Sequence, residues 1–262
     1  MAQVIERNRV DGVQVEPQKS PHKSHQSGEI VSIKVTGDRA VFTRPELSTE
    51  RVSYDIITPS SARGIFEQIL WKPEMRWNIH RITVLNPVQH FSILRNEGNS
   101  RQSESTARRW EKNDGVGSYG IDHDRAQRHT LGLRNVAYIL EASITLEPHA
   151  NQGIGKFYEQ FNRHVKNGKC KAQPYLGIRE FTATFEFPTG DETPLDWTDD
   201  LGLMLHGIQF VDDPKGKVSY LTKPGGEQQV TCGIATPRFF RAVVNKGVMQ
   251  VPAFPSPIGR GQ

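Results

Sequence analysis

Apolar side chains recur along this chain in two different periods, and the change of period marks its elements. The stretch 30–37, IVSIKVTG, alternates apolar and polar positions as a half-buried strand does and ends on a glycine. AVFTRPEL follows as a short extended piece, and STERVSYDIIT as a loop. From Thr58 to Pro73 the period lengthens to three and four, with Ala62, Ile65, Phe66 and Ile69 on one face. Thr58 suits the N-cap and Pro59 the first helical position. Pro73 stops the helix, because the residue before a proline is pushed out of the helical region. Arg63 and Glu67 share the solvent stripe of this helix, and Leu70 and Trp71 fall in its last turn.

Further along, WNIHRITVLNPVQHFSILRNE predicts one or two strands bent at Pro87. Residues 98–130 are polar and carry no period, a length of loop that is either functional or disordered. RNVAYILEASITLEP alternates from Val136 to Leu146 and predicts a strand. GIGKFYEQFNRHVKNGK predicts a helix after a glycine turn, with Phe157, Phe161, His164 and Val165 at helical spacing. YLGIREFTATFEF predicts a strand with an arginine in its middle; LGLMLHGIQFV, VSYLTKP and PRFFRAVVNKGVMQVPAF are further strand candidates. Two helices among many strands make an α+β protein with a ferredoxin-like core. Residues 1–29, rich in Gln, Lys, Ser, His and Pro, read as a disordered or partner-ordered tail. His22 and His25 lie there with nothing to complete a metal shell.

Composition changes this picture little. The 262 residues suffice for a sizeable core. A net charge of +4 permits a polyanionic partner without demanding one. Cys170 and Cys232 form no C-x-x-C motif, so neither a zinc knuckle nor a disulfide framework is expected. No apolar run reaches the roughly 18 residues of a membrane span, and no signal-peptide core opens the chain. A soluble cytoplasmic protein with no membrane contact is expected.

Candidate chemistry is basic. GIGK at 153–156 lacks the G-x-x-x-x-G-K-[ST] spacing, and Phe157 stands where a magnesium-holding hydroxyl would be. A glycine turn into a helix still leaves backbone N–H groups free for a phosphate, with Lys156 beside it. ARRW at 107–110 sets two arginines against an aromatic, a pairing suited to bases and phosphates. HDRAQRH at 123–129 reads as a solvated or nucleic-acid-facing loop. No G-x-S-x-G, H-E-x-x-H or Rossmann fingerprint is present.

The run GDRAVFTRPELSTERVSYDIITPSSARGIFEQILWKP, 37–73, resembles the opening of the CRISPR-associated RAMP protein of type I-C systems, the "Cas five, subtype d" subunit. ITVLNPVQHFSILRNE, RNVAYILEA, GKFYEQFNRHVKNGK, YLGIREF, LGLMLHGIQF and PRFFRAVVNKGV follow in the family's order, so the resemblance spans about residues 31–254. It implies an RRM-like ferredoxin core over 30–190, with an inserted polar loop near 98–130, and an added C-terminal antiparallel β region over 191–262. It also implies antiviral defence within the crRNA-guided surveillance complex, Cascade. The partners would be crRNA and the precursor crRNA repeat, the large subunit and backbone subunits, and target DNA near the PAM. The chemistry implied is metal-independent and cofactor-free: a ribose 2′-OH attacks the adjacent phosphate and leaves a 2′,3′-cyclic phosphate.

Against the family pattern, Leu70 stands where a tyrosine or histidine ends the first helix, and Phe157 stands where a histidine follows the lysine. Lys156 matches. Three readings follow: a subunit that binds crRNA without cutting it, substitution by Tyr54, Tyr158, His149 or His164, or slow cleavage by Lys156 and substrate positioning alone. The expected catalytic set is Lys156, Tyr158 and Tyr54. The expected RNA contacts, from position and charge, are Arg44, Arg51, Arg63, Lys72, Arg95, Arg128, Arg134 and Arg179, the first four gathered around the first helix.

Overall fold

The structure is a computed structural model that describes residues 28–254 apart from 48, 100–102, 118, 119, 121, 123 and 223–228. Nearly all of the expected tail, with His22 and His25, lies outside the described residues, as does His123.

The first helix, α1 (Pro59–Ile69), begins as its sequence dictates: the Thr58 hydroxyl accepts the Ser61 N–H at 3.3 Å, and Pro59 occupies the first turn. It ends earlier than Pro73. Leu70 is already extended, at φ −147 and ψ 119. Pro73 has no N–H to offer the Ile69 carbonyl, and groups from elsewhere in the fold take the last carbonyls instead. Gln68 O receives the Lys171 N–H at 2.8 Å, Ile69 O faces His164 Nδ1 at 3.0 Å, and Leu70 O receives Trp77 Nε1 at 2.9 Å. Ala62, Ile65, Phe66 and Ile69 are fully buried, as their spacing predicts. Phe66, Trp77 and Phe161 meet with ring centroids 4.8–5.5 Å apart, joining α1 to the strand β3 (Met75–Val84) and the helix α3 (Ile154–Lys166).

Around them runs one sheet, ordered β6 (Thr184–Glu186), β1 (Val31–Ala40), β5 (Arg125–Leu146), β3, β10 (Val248–Gln250), β9 (Gln229–Asn245) and β7 (Asp199–Asp212). All neighbours on this path are antiparallel. The C-terminal strands therefore extend the sheet that the N-terminal half begins, with β10 joining β3 to β9. β8 (Val218–Thr222) adds to β9. A large antiparallel sheet with few helices bears out the α+β reading. β9 and β10 turn at Lys246 and Gly247, both left-handed at φ 48 and 77, the geometry of a two-residue hairpin.

Two sequence expectations change. Residues 98–130 are not one loop: they contain the helix α2 (Glu104–Lys112) and the first residues of β5. β5 is 22 residues long. Its first half alternates Arg125, Gln127 and His129 on the exposed side with Ala126, Arg128 and Thr130 on the covered side. Polar residues on both faces conceal the period of two. The stretch 175–186 is strand only at Thr184–Glu186. Gly177, at φ +87, turns the chain so tightly under Val41 that a Cβ would lie 1.8 Å from the Val41 carbonyl oxygen.

Candidate nucleic-acid interface

β4 (His90–Gly98) does not pair with β3; the bend at Pro87 sends it along the first half of β5, and the two form a ribbon. Cross-strand partners share a face. Phe91 faces Gly132, Ile93 faces Thr130, Arg95 faces Arg128 and Glu97 faces Ala126. Gly132 leaves the room that Phe91 occupies: a Cβ there would lie 2.5 Å from the ring. β2 (Arg51–Val52) runs parallel to β5 at Thr130 and Leu131, which brings Arg51 to Glu97 in an ion pair. Arg39 on β1 lies opposite Arg134 on β5, and its guanidinium sits 5.2 Å from the Phe91 ring centre. The turn at 177–181 closes the site: Phe181 meets Phe91 edge-on at 5.8 Å, Arg95 lies 5.7 Å from the Phe181 ring, and Arg95 Nη1 pairs with Glu180 Oε2 at 2.6 Å.

One side of the ribbon and the adjoining end of β1 thus gather Arg39, Arg51, Arg95, Arg128 and Arg134, interleaved with Phe91 and Phe181, and Arg179 lies exposed in the turn beside Glu180. Glu97 and Glu180 balance Arg51 and Arg95. Among the described residues no carboxylate pairs with Arg128 or Arg134, and their charge is available to an anion. Arginine beside aromatic rings suits a nucleic-acid backbone with stacked bases. Arg39, Phe91 and Phe181 are absent from the set read from sequence; only the pairing of β1, β4 and β5 and the turn at 177–181 join them.

The other expected contacts lie apart. Arg44 covers the Tyr54 ring at 4.4 Å and faces Glu46 and Asp55. Arg63 pairs with Glu67 one turn on, at 3.6 Å, and Lys72 is exposed beyond the end of α1. The four cations expected around one helix are therefore divided: Arg63 and Lys72 belong to α1, while Arg51 belongs to the ribbon and Arg44 to the Tyr54 corner. Arg108 and Arg109 of the ARRW motif are exposed on α2, Arg108 pairing with Glu104.

Nor does the expected catalytic trio converge. Lys156 is exposed in the first turn of α3, whose N-cap Gly153 supplies no side chain to the free N–H groups. Tyr158, two residues on, is 5% exposed, and its hydroxyl accepts the Ile144 N–H at 2.8 Å. Tyr54 is 1% exposed and accepts the Leu205 N–H at 3.2 Å, which fastens the loop after β2 to β7. Burial pushes both phenols above their ordinary pKa, the reverse of what a proton acceptor near neutral pH needs. These two tyrosines serve the core and reach no surface-bound strand. Leu70 and Phe157 are also core residues. His149 is exposed, while His164 is held against α1. Among the described residues no group of three His, Cys, Asp or Glu side chains could hold a metal, and both cysteines are free. No described helix is long and apolar enough to cross a membrane.

Residues 30–252 match the family described as CRISPR-associated protein (Cas_Cas5). The chain is 42% identical over 224 residues to the CRISPR pre-crRNA endoribonuclease Cas5d of Thermus thermophilus, covering 85% of this chain and 91% of that one. It is 38% identical over 235 residues to the protein of the same name from Mannheimia succiniciproducens, covering 86% and 95%. A solved structure titled as that of a CRISPR-associated protein superposes with a TM-score of 0.58 at 18% identity, over 88% of this chain and 95% of that one, and shares the fold.

Proposed function

The chain belongs to the Cas5 family of CRISPR-associated proteins, and on that basis we propose that it binds the repeat-derived part of crRNA in a type I-C surveillance complex and cuts the precursor repeat. The observation that carries this reading is the 42% identity, over most of both chains, to a relative named as a pre-crRNA endoribonuclease. The ribbon face supports it independently. Arg128 and Arg134 hold phosphates, and Arg39 stacked on Phe91 marks where a base lies against the surface. Lys156, at an uncapped helix start, holds a further phosphate. The core is ferredoxin-like: β1-α1-β3-β5-α3-β6 in the order β6-β1-β5-β3 supports that topology, with both helices packed through Phe66 and Phe161.

Cutting proceeds without metal. A 2′-oxygen attacks the neighbouring phosphorus and leaves a 2′,3′-cyclic phosphate, a reaction that needs a proton acceptor and a cation at the developing charge. In the assembled complex the exposed Arg109 and Lys112 of α2 face target DNA, and the cytoplasm is where all of these partners meet. The test is incubation of the purified full chain with labelled RNA of its own CRISPR repeat in EDTA. A single cut with a cyclic phosphate end is the expected result. A shifted but uncut RNA would favour the second reading, a crRNA-capping and assembly subunit, which the burial of Leu70, Phe157, Tyr54 and Tyr158 supports.

A further inference from the structure

The end of α1 and the end of α3 form a second basic site, built differently from the ribbon. His164 Nδ1 lies 3.0 Å from the Ile69 carbonyl oxygen. A carbonyl only accepts, so Nδ1 carries the proton, and the neutral ring keeps its lone pair on Nε2. His164 is half-buried, and its Nε2 meets no hydrogen-bond partner among the described residues. On the neighbouring carbonyl, Gln68 O, the Lys171 backbone N–H is fixed, and the Lys171 ammonium lies 4.4 Å from the Trp71 ring centre. Lys171 is thus held at both ends, and its residue is exposed. The charged groups nearby are Arg163 and Lys166 on α3, Lys171 itself, and Glu67 with its partner Arg63 on α1.

The other described histidines lack this combination. His80 and His206 engage Nε2 with Ser143 and with the Pro252 carbonyl, and His90 Nε2 faces Asp55. His129 and His149 are exposed, with no orienting hydrogen bond among the described residues. A ring fixed through Nδ1 with a free Nε2, held on the carbonyl next to the one that anchors a lysine, has the orientation general-base catalysis uses.

We propose that His164 is the proton acceptor in repeat cleavage and that Lys171 holds the phosphate being attacked; this rests on the endoribonuclease reading above. Nε2 takes the 2′-OH proton as O2′ forms its bond to phosphorus. The P–O5′ bond breaks, and O5′ leaves with the electron pair and takes a proton from water. The products are a 2′,3′-cyclic phosphate and a 5′-hydroxyl, and the imidazolium returns its proton to solvent. Lys171 balances the charge that gathers on the non-bridging oxygens. Lys156 lies eight helical residues away, about 12 Å along α3, and serves another phosphate of the same strand.

His164→Asn separates the two duties of the ring, because the asparagine amide can replace Nδ1 on the Ile69 carbonyl while nothing replaces Nε2. The full chain and the variants His164→Asn and His164→Ala are compared in single-turnover cutting of the labelled repeat RNA in EDTA. Binding is measured with the same RNA carrying a 2′-deoxy nucleotide at the cut site. The expected result is near-native binding by His164→Asn with cutting reduced by about 100-fold or more, and partial recovery of His164→Ala by added imidazole. Native-rate cutting by His164→Asn overturns the proposal, and so does a loss of deoxy-RNA binding as large as the loss of cutting. If the wild-type chain binds the repeat and leaves it whole, the endoribonuclease reading itself fails, and the proposal with it.

Discussion

Arg95 and Arg128 stand directly opposite one another across the β4–β5 ribbon, on the same face. Like charges in that position repel. Glu180 offsets the repulsion for Arg95 at 2.6 Å, and Arg128 has no such counterpart among the described residues. A protein selected for stability alone would gain by replacing Arg128.

Arg128→Ala should therefore leave the fold as stable as before or raise it by a few tenths of a kcal/mol. Affinity for repeat RNA should fall, with the salt dependence of binding reduced by about one phosphate contact. Urea denaturation and filter binding between low and high salt read the two effects. A stable variant with an unchanged salt slope would remove Arg128 from the interface.

Tyr54→Phe should cost about 1 kcal/mol, because the part-buried Leu205 N–H loses its acceptor. At a temperature where the variant is folded, repeat cutting should continue at the native rate. A large loss of cutting with unchanged stability would return Tyr54 to the catalytic set.

Lys156→Ala removes an exposed cation and no packing, so denaturation should be unchanged within about 0.5 kcal/mol. Repeat RNA should bind more weakly, with a shallower salt dependence. Equal affinity at low and high salt relative to wild type would mean that α3 begins away from the RNA.

Glu192 carries the clearest pH signature. Its carboxylate accepts the Thr189 and Gly190 backbone N–H groups and the Thr189 hydroxyl, and these hydrogen bonds hold its pKa at about 2, below the ordinary carboxylate range; Lys34 lies 3.5 Å away. A lowered folded-state pKa contributes stability above the ordinary carboxylate pKa and loses it as pH falls toward 2. Glu192→Gln should flatten the acid limb of the stability profile, measured by urea melts from pH 5 downward. Parallel acid limbs would show that the 189–192 turn does not hold the carboxylate in solution.

Thr58, Pro59 and the apolar spacing of α1 were readable in the sequence because each acts within a few residues of itself. The alternation of β1 was readable for the same reason. The first half of β5 was not: Arg128 and Thr130 stand at covered positions and polar residues on the other face, so its period of two is invisible to hydrophobicity. The turn at 175–181 was misleading, since its residues alternate like a strand and only the close approach of Gly177 to Val41 explains the reversal. Arg51, Arg95, Arg128 and Arg134 were legible as charges, but their meeting place was not, because Arg39, Phe91 and Phe181 come together only across long separations. His164 was one of four substitutes suggested by type alone. Its orientation by the Ile69 carbonyl depends on where α1 stops, three residues short of the proline that marked its end in sequence.

β5 runs unbroken from the ribbon into the core, bonded to β4 over one half and to β1 and β3 over the other. That continuity restricts how lineages of this protein can change length. A single residue gained or lost between Arg128 and Leu133 would swap the two faces of everything distal to it, moving Arg128 off the arginine face and His129 onto it. Changes in pairs would preserve the charge pattern and alter only the reach of the arm. The helical tip at 104–112 is free of this parity constraint, so descendants can diversify there while the arginine face is inherited intact.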